Sequence, residues 1–339
     1  MTTTCRPGPI RGLVVAGALI ALAACSAGTE LRSQPAVSTA TTEPVVTTVA
    51  EDPASTMDPT VPSTPQTDTL PSPGAPVRSV LPVALEQVSV VDPNRPTVKN
   101  GQLISNERVL PTSIWRPSIG GPYPLVIFAH GYRLGPTSYE RFCRTLASAG
   151  YIVAAPSFPL ADAQRGNGVD RGDIPNEATD VSFVINALRA GPVTSDIAAG
   201  PVAVVGHSDG ADVALMVGYQ KAKADLRVGA VVAVAPDAMN GALVASGPPL
   251  LLIQGDQDSI VPYSNSQRVF AQVSAKRYYL TLIGADHLPP IYGGTKWTAV
   301  LDTAVALFLK ATVTANGDKG TPLEEGMGSM GLSRLTTGG

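Results

Sequence analysis

Between Leu125 and Phe308 the chain alternates short runs of consecutive apolar residues with segments of helical periodicity, and few architectures accept that alternation. Leu125-Val126-Ile127-Phe128-Ala129 is apolar at every position, the pattern of a strand buried on both faces of a parallel sheet. Tyr139, Phe142, Cys143 and Leu146 then recur at helical spacing, behind a candidate Ser138 cap and ahead of a Gly150 stop. A strand at Tyr151–Ala155, a helix around Val181, Val184, Ile185 and Leu188, a strand at Val202–Val205 and a helix from Ala211 continue the series. Strands at Ala230–Ala235 and Leu250–Ile253, a helix near Val269 and Phe270, and a strand at Tyr278–Leu282 follow. A last amphipathic helix carries Trp297, Val300, Leu301, Ala304, Val305 and Phe308 on one face. Repeated strand-helix units predict an α/β fold: a mostly parallel central sheet with helices on both faces. Sheets of this kind place ligands beyond the carboxyl ends of their strands, so chemistry is to be sought in those loops.

Aromatic placement sets the domain limits. Every Phe, Trp and Tyr lies between Trp115 and Phe308, so only that region holds the bulky groups that dominate a core. One domain over 81–310 is the economical reading. Upstream, Arg6 and Arg11 precede an acid-free apolar run from Leu13 to Ala24, too short for a membrane span and typical of an export signal. That run ends in Leu22-Ala23-Ala24-Cys25, which resembles a bacterial lipobox. The resemblance implies a lipoprotein signal over 1–24, a diacylated Cys25 at the mature N-terminus, and anchoring on the outer side of a bacterial membrane. An ordinary signal peptide cleaved near Ala24, giving a secreted protein, is the alternative. Residues 25–80 are rich in Pro, Thr and Ser and lack aromatics, so they read as a disordered tether. The Gly-rich tail 311–339 reads as poorly ordered.

With 15% charged residues, a net charge of −3 and no Lys/Arg cluster, the chain lacks the means to neutralise a run of phosphates, which disfavours nucleic acid as a partner. Cys5, Cys25 and Cys143 are scattered, which leaves neither a disulfide framework nor a Cys/His metal cluster, and no cofactor is called for.

Gly206-His207-Ser208-Asp209-Gly210 fits G-x-S-x-G, with an apolar strand before it and a helix after it. That strand-turn-helix lifts a serine hydroxyl to the edge of the sheet, and the glycines suit the tight turn. A serine nucleophile needs a base, and the base an orienting acid. Gly255-Asp256-Gln257-Asp258-Ser259-Ile260-Val261-Pro262 and Gly284-Ala285-Asp286-His287 each follow a predicted strand, giving the order Ser208, acid, His287. From about Arg108 to Lys310 the chain thus resembles the α/β-hydrolase superfamily. The resemblance implies Asp258 as the triad acid, with Asp256 as rival, and oxyanion donors in the amides of Asp209 and of the loop His130-Gly131-Tyr132, assigned to Tyr132. His130 is expected to brace that loop and His207 to pack beneath the turn, while Asp286 reads as solvated or a cap. The single-HG loop resembles those of dienelactone-hydrolase-like, chlorophyllase-like and cutinase-like polyester hydrolases. Asp209 and Asp237 stand where polyester hydrolases typically carry Met and Trp, and Ser208 stands where dienelactone hydrolases typically use Cys, so neither substrate is implied.

Only Pro236–Pro249 separates the strand Ala230–Ala235 from Leu250, too short for a cap domain, and Ala161–Pro175 is the remaining candidate for a mobile rim. The expectation is a serine carboxylesterase-like hydrolase that takes an ester substrate, such as a lipid or another bulky ester, into an open site. A phospholipase or platelet-activating-factor-acetylhydrolase-like acylhydrolase and an envelope acyltransferase are the enzymatic alternatives, and a catalytically silent binding lipoprotein the alternative of another class.

Overall fold

The computed structural model describes residues 80–191, 194–237, 241–314, 323–327 and 331–339. The signal, nearly all of the tether and Cys25 fall outside them. Eleven strands are described: β1 (Val83–Asp92), β2 (Thr97–Lys99), β3 (Gln102–Ser105), β4 (Arg108–Pro117), β5 (Leu125–Ala129), β6 (Ile152–Pro156), β7 (Val202–His207), β8 (Val228–Val234), β9 (Leu250–Gly255), β10 (Arg277–Leu282) and β11 (Ser333–Gly338). The helices are α1 (Glu140–Ser148), α2 (Ile174–Ala190), α3 (Asp209–Tyr219), α4 (Ser264–Gln272), α5 (Pro289–Tyr292), α6 (Thr298–Val313) and α7 (Leu323–Met327).

The main sheet runs β1-β4-β6-β5-β7-β8-β9-β10-β11, and β6 through β10 are mutually parallel. Chain order reverses direction across β5, so the loops after β5 and β7 open side by side at the switch point where α/β sheets bind ligands. Alternation along each strand divides the core. Leu125, Ile127 and Ala129 of β5 face the layer built on α2, α3 and α4, whereas Val126 and Phe128 face the layer of α1, α5, α6 and α7. This is an α/β-hydrolase fold. The described part of the β8–β9 connection contains neither helix nor strand.

Three elements depart from the sequence reading. Helix α1 does not use Ser138 as its cap: Pro136–Tyr139 forms a 3-10 turn and the α-helix starts at Glu140, with no side-chain cap. Proline at the head of that turn fixes φ and is accepted there because its missing N–H would have no partner in a first turn. At the N-terminal side, β1 pairs antiparallel with β4 from Val83↔Pro117 to Asp92↔Arg108, a flank that the alternation of runs and helices does not reveal. At the other end the domain does not stop at Lys310. Residues Ser333–Gly338 pair antiparallel with β10, and α7 buries Leu323 and Met327 against the α6 layer. An edge strand is held mainly by ladder hydrogen bonds and can be half-exposed, so it forms without the apolar run that marks a central strand.

The antiparallel flank is clamped to the body by charge. Arg108 in β4 is 1% exposed and donates to both oxygens of Asp180 at 2.6 and 2.7 Å and to Asp173 Oδ2 at 2.5 Å. Arg95 adds a further bond to Asp180 at 2.6 Å. Buried charges of this kind are tolerated when every one is paired.

Candidate active site

Strand β7 ends at His207 and α3 begins at Asp209, so Ser208 alone makes the turn. Its backbone sits at φ 57° and ψ −127°, a region that residues with a Cβ rarely occupy. The turn is held from both sides: Ser208 N–H donates to Val234 O at 2.9 Å, and its carbonyl accepts from Ala211 N–H at 2.8 Å. A Cβ at position 206 would lie 1.9 Å from Gly210 O, and one at position 210 would lie 2.1 Å from Ala129 O. Both positions therefore require glycine, which is why the serine is flanked as it is.

Asp258 and His287 meet from neighbouring strand ends. His287 Nδ1 lies 2.8 Å from Asp258 Oδ2, and the two side chains are 3% and 0% exposed. Because the carboxylate only accepts, Nδ1 carries the proton and Nε2 is left as the basic nitrogen. The other oxygen, Asp258 Oδ1, accepts from the amides of Ile260 and Val261 at 3.0 and 2.8 Å. Burial opposes ionisation of Asp258, but the bonds from His287 and those amides outweigh it and hold the carboxyl below its ordinary value. Asp256 is engaged elsewhere, accepting from Gly284 N–H at 2.7 Å. Asp286 accepts from Ser259 N–H and Oγ–H and from His287 N–H at 2.8, 2.9 and 2.8 Å, and so stitches the two loops together. Among the described residues, Ser208 Oγ has no hydrogen bond to His287; such contacts are often long until substrate binds.

The remaining histidines are structural members of the same centre. Phe158 N–H donates to His130 Nε2 at 3.0 Å, so Nδ1 carries the proton and donates to Gly131 O at 3.1 Å. His207 is tied at both nitrogens: Nε2–H donates to His287 O at 3.2 Å, and Nδ1 accepts from Tyr139 O–H at 2.9 Å. Tyr139 O in turn accepts from Gly131 N–H at 3.1 Å, which joins the loop after β5 to the loop after β10. Burial lowers His130 to about 4 and His207 to about 3, keeping both neutral at neutral pH.

The loop after β5 closes on the turn, since a Cβ at Gly131 would lie 3.2 Å from Ser208 Cβ. Beyond it, the amides of Tyr132 and Asp209 have no acceptor among the described residues, and Tyr132 is 37% exposed. Donors left free beside a serine hydroxyl are what an oxyanion needs. The Asp209 side chain is gripped by Arg171, whose Nε and Nη2 donate to it at 2.8 and 2.6 Å, while Nη2 also donates to Asp237 at 2.6 Å. Sequence reading missed Tyr139, Arg171 and the stitching role of Asp286, because nothing local marks partners separated by 27 to 68 positions. Among the described residues no cluster of His, Cys, Asp and Glu is built to hold a metal ion. A cleft of about 190 Å³ lined by Arg116, Tyr123 and Asp196 lies near the amino ends of β5 and β6, away from this centre.

Comparison with known proteins agrees with this architecture. A search of curated proteins finds Chlorophyllase-1 from Arabidopsis thaliana, 31% identical over 108 residues, which span 32% of this chain and 32% of that protein. Among solved structures, a ferulic acid esterase from Streptomyces cinnamoneus superposes with a TM-score of 0.58 at 19% identity, covering 78% of this chain and 98% of that one. The Chlorophyllase family model matches residues 88–259, a little over half of the chain, a stretch that contains Ser208 and Asp258. The chain therefore belongs to the chlorophyllase family.

Proposed function

We propose that the chain is a serine carboxylesterase-like hydrolase that cleaves carboxylic esters through an acyl-enzyme. Ser208 Oγ attacks the ester carbonyl while His287 Nε2 takes its proton, and the amides of Tyr132 and Asp209 hold the oxyanion. His287 then gives that proton to the departing alkoxide, leaving an alcohol and acyl-Ser208. Water attacks the acyl group, its proton passing to His287 and from there back to Ser208 Oγ, which releases the acid and restores the enzyme. Asp258 keeps Nδ1 protonated throughout and stabilises the imidazolium. The observation that carries the reading is the 2.8 Å bond from the buried His287–Asp258 pair, which sits beside a serine turn forced into positive φ.

The ester-hydrolase names of the family and of the structural neighbour support the reaction class. Lipidation of Cys25 and display on the outer side of a bacterial membrane belong to the same reading and rest on the lipobox-like segment. A fluorophosphonate probe tests the class. One stable adduct that maps to the peptide containing Ser208 is the expected result, and a chain that takes up no probe is a silent binding protein.

A further inference from the structure

The side chain after the nucleophile ends in a charged cluster that the hydrolytic mechanism leaves unused. Asp209 is 4% exposed, and both its oxygens accept from Arg171. Arg171 also donates to Asp237, and Asn265 Nδ2 reaches the other Asp237 oxygen at 3.4 Å. The guanidinium uses Nε and Nη2 for these bonds; its side chain is 47% exposed, and Nη1 has no partner among the described residues. A guanidinium presents five N–H groups in a fixed fork, so anchoring one edge on carboxylates aims the free nitrogen outward without freedom to turn away.

The two faces of the sheet fix which part of a substrate meets this group. His287 stacks near His207 with ring centroids 4.7 Å apart, and His207 bonds to Tyr139, which belongs to the α1–α6 layer. Arg171 precedes α2, Asp209 opens α3 and Asn265 lies in α4, the elements of the opposite layer. His287 must reach the leaving oxygen, so the alcohol departs over the α1–α6 side. The acyl group then extends over the other side, toward Arg171. The local balance of two carboxylates against one guanidinium is negative. In agreement with it, burial and then the charges of Asp209 and Asp237 push Asp212 below them up to about 8. An anionic acyl group is disfavoured there, and an aliphatic chain would desolvate the ion pairs with no bond in return.

We infer that Arg171, anchored by Asp209 and Asp237, is a specificity-determining residue that makes the acyl side select acyl groups carrying a neutral oxygen acceptor. This rests on the esterase reading above. Two p-nitrophenyl esters of equal length, the butanoate and the methoxyacetate, differ by one oxygen in place of a methylene. Each kcat/KM is divided by the rate of hydroxide hydrolysis of the same ester, which removes their intrinsic difference in reactivity.

The wild-type enzyme should favour the methoxyacetate by about tenfold after that correction, the scale of a single pocket contact. Arg171→Lys keeps the charge beside Asp209 and Asp237 but has a single nitrogen, all of it occupied by the two carboxylates. It should lose the preference while its melting temperature stays near that of the wild type, an outcome that a purely structural role for Arg171 does not give. Should Arg171→Lys fail to fold, Arg171→Gln removes the spare donor with an uncharged amide, and the same loss is expected. A corrected ratio near one in the wild type, or a preference intact in the folded variant, overturns the inference and leaves the esterase reading standing. A wild-type chain that turns over neither ester overturns both.

Discussion

At the scale of single residues, two aspartates sit two positions apart in one loop, and hydrogen bonding separates their roles. Asp258 faces His287 and accepts from two loop amides, whereas Asp256 turns back to the Gly284 amide. In the proposed mechanism, Asp258→Asn replaces an acceptor by an amide and permits the wrong imidazole tautomer, so kcat should fall by about 10⁴. Asp256→Asn removes one bond at the far side of the loop and should cost less than about tenfold. Steady-state kinetics of the two variants on one p-nitrophenyl ester decide the ranking, and the reverse order would move the acid to Asp256. Much at this scale was legible in advance. The glycines at 206 and 210 are dictated by backbone atoms 1.9 and 2.1 Å from where a Cβ would stand, a steric demand that leaves a visible mark on the sequence. Arg171 and Tyr139 left no such mark, because an arginine in a loop and a tyrosine before a helix have many uses and only the folded chain selects one.

Elements were legible in proportion to their burial. The central strands β5, β7 and β9 are buried at every position, so each shows at least four consecutive apolar residues. The flanking strands carry a solvent face: β1 alternates, and β11 holds a single leucine among polar residues. Patterning of that kind cannot be told from a polar loop without its partner strand. The flank is secured instead by the Arg108 clamp to Asp173 and Asp180 on the segment entering α2 and on α2 itself. Arg108→Ala leaves buried Asp173 without its cation and Asp180 with Arg95 alone, and urea unfolding should show a loss of about 3–5 kcal/mol. A change below about 1 kcal/mol would mean that β1 and β4 are held by their ladder and apolar contacts alone.

On the scale of the whole molecule, one topological fact organises the chemistry. The reversal of strand order at β5 sets the loops after β5 and β7 beside each other, and the parallel run through β10 brings Asp258 and His287 to the same edge. In the proposed mechanism, residues spread over 155 positions, from Tyr132 to His287, thereby serve one ester. The proposed mechanism requires Ser208 as the nucleophile, and turnover of a p-nitrophenyl ester by Ser208→Ala, measured alongside its melting temperature, tests that most directly. The predicted result is a fall in kcat of about 10⁶ with the melting temperature unchanged or raised, since alanine removes the hydroxyl and leaves the turn in place. Turnover undiminished in a folded Ser208→Ala protein would contradict it.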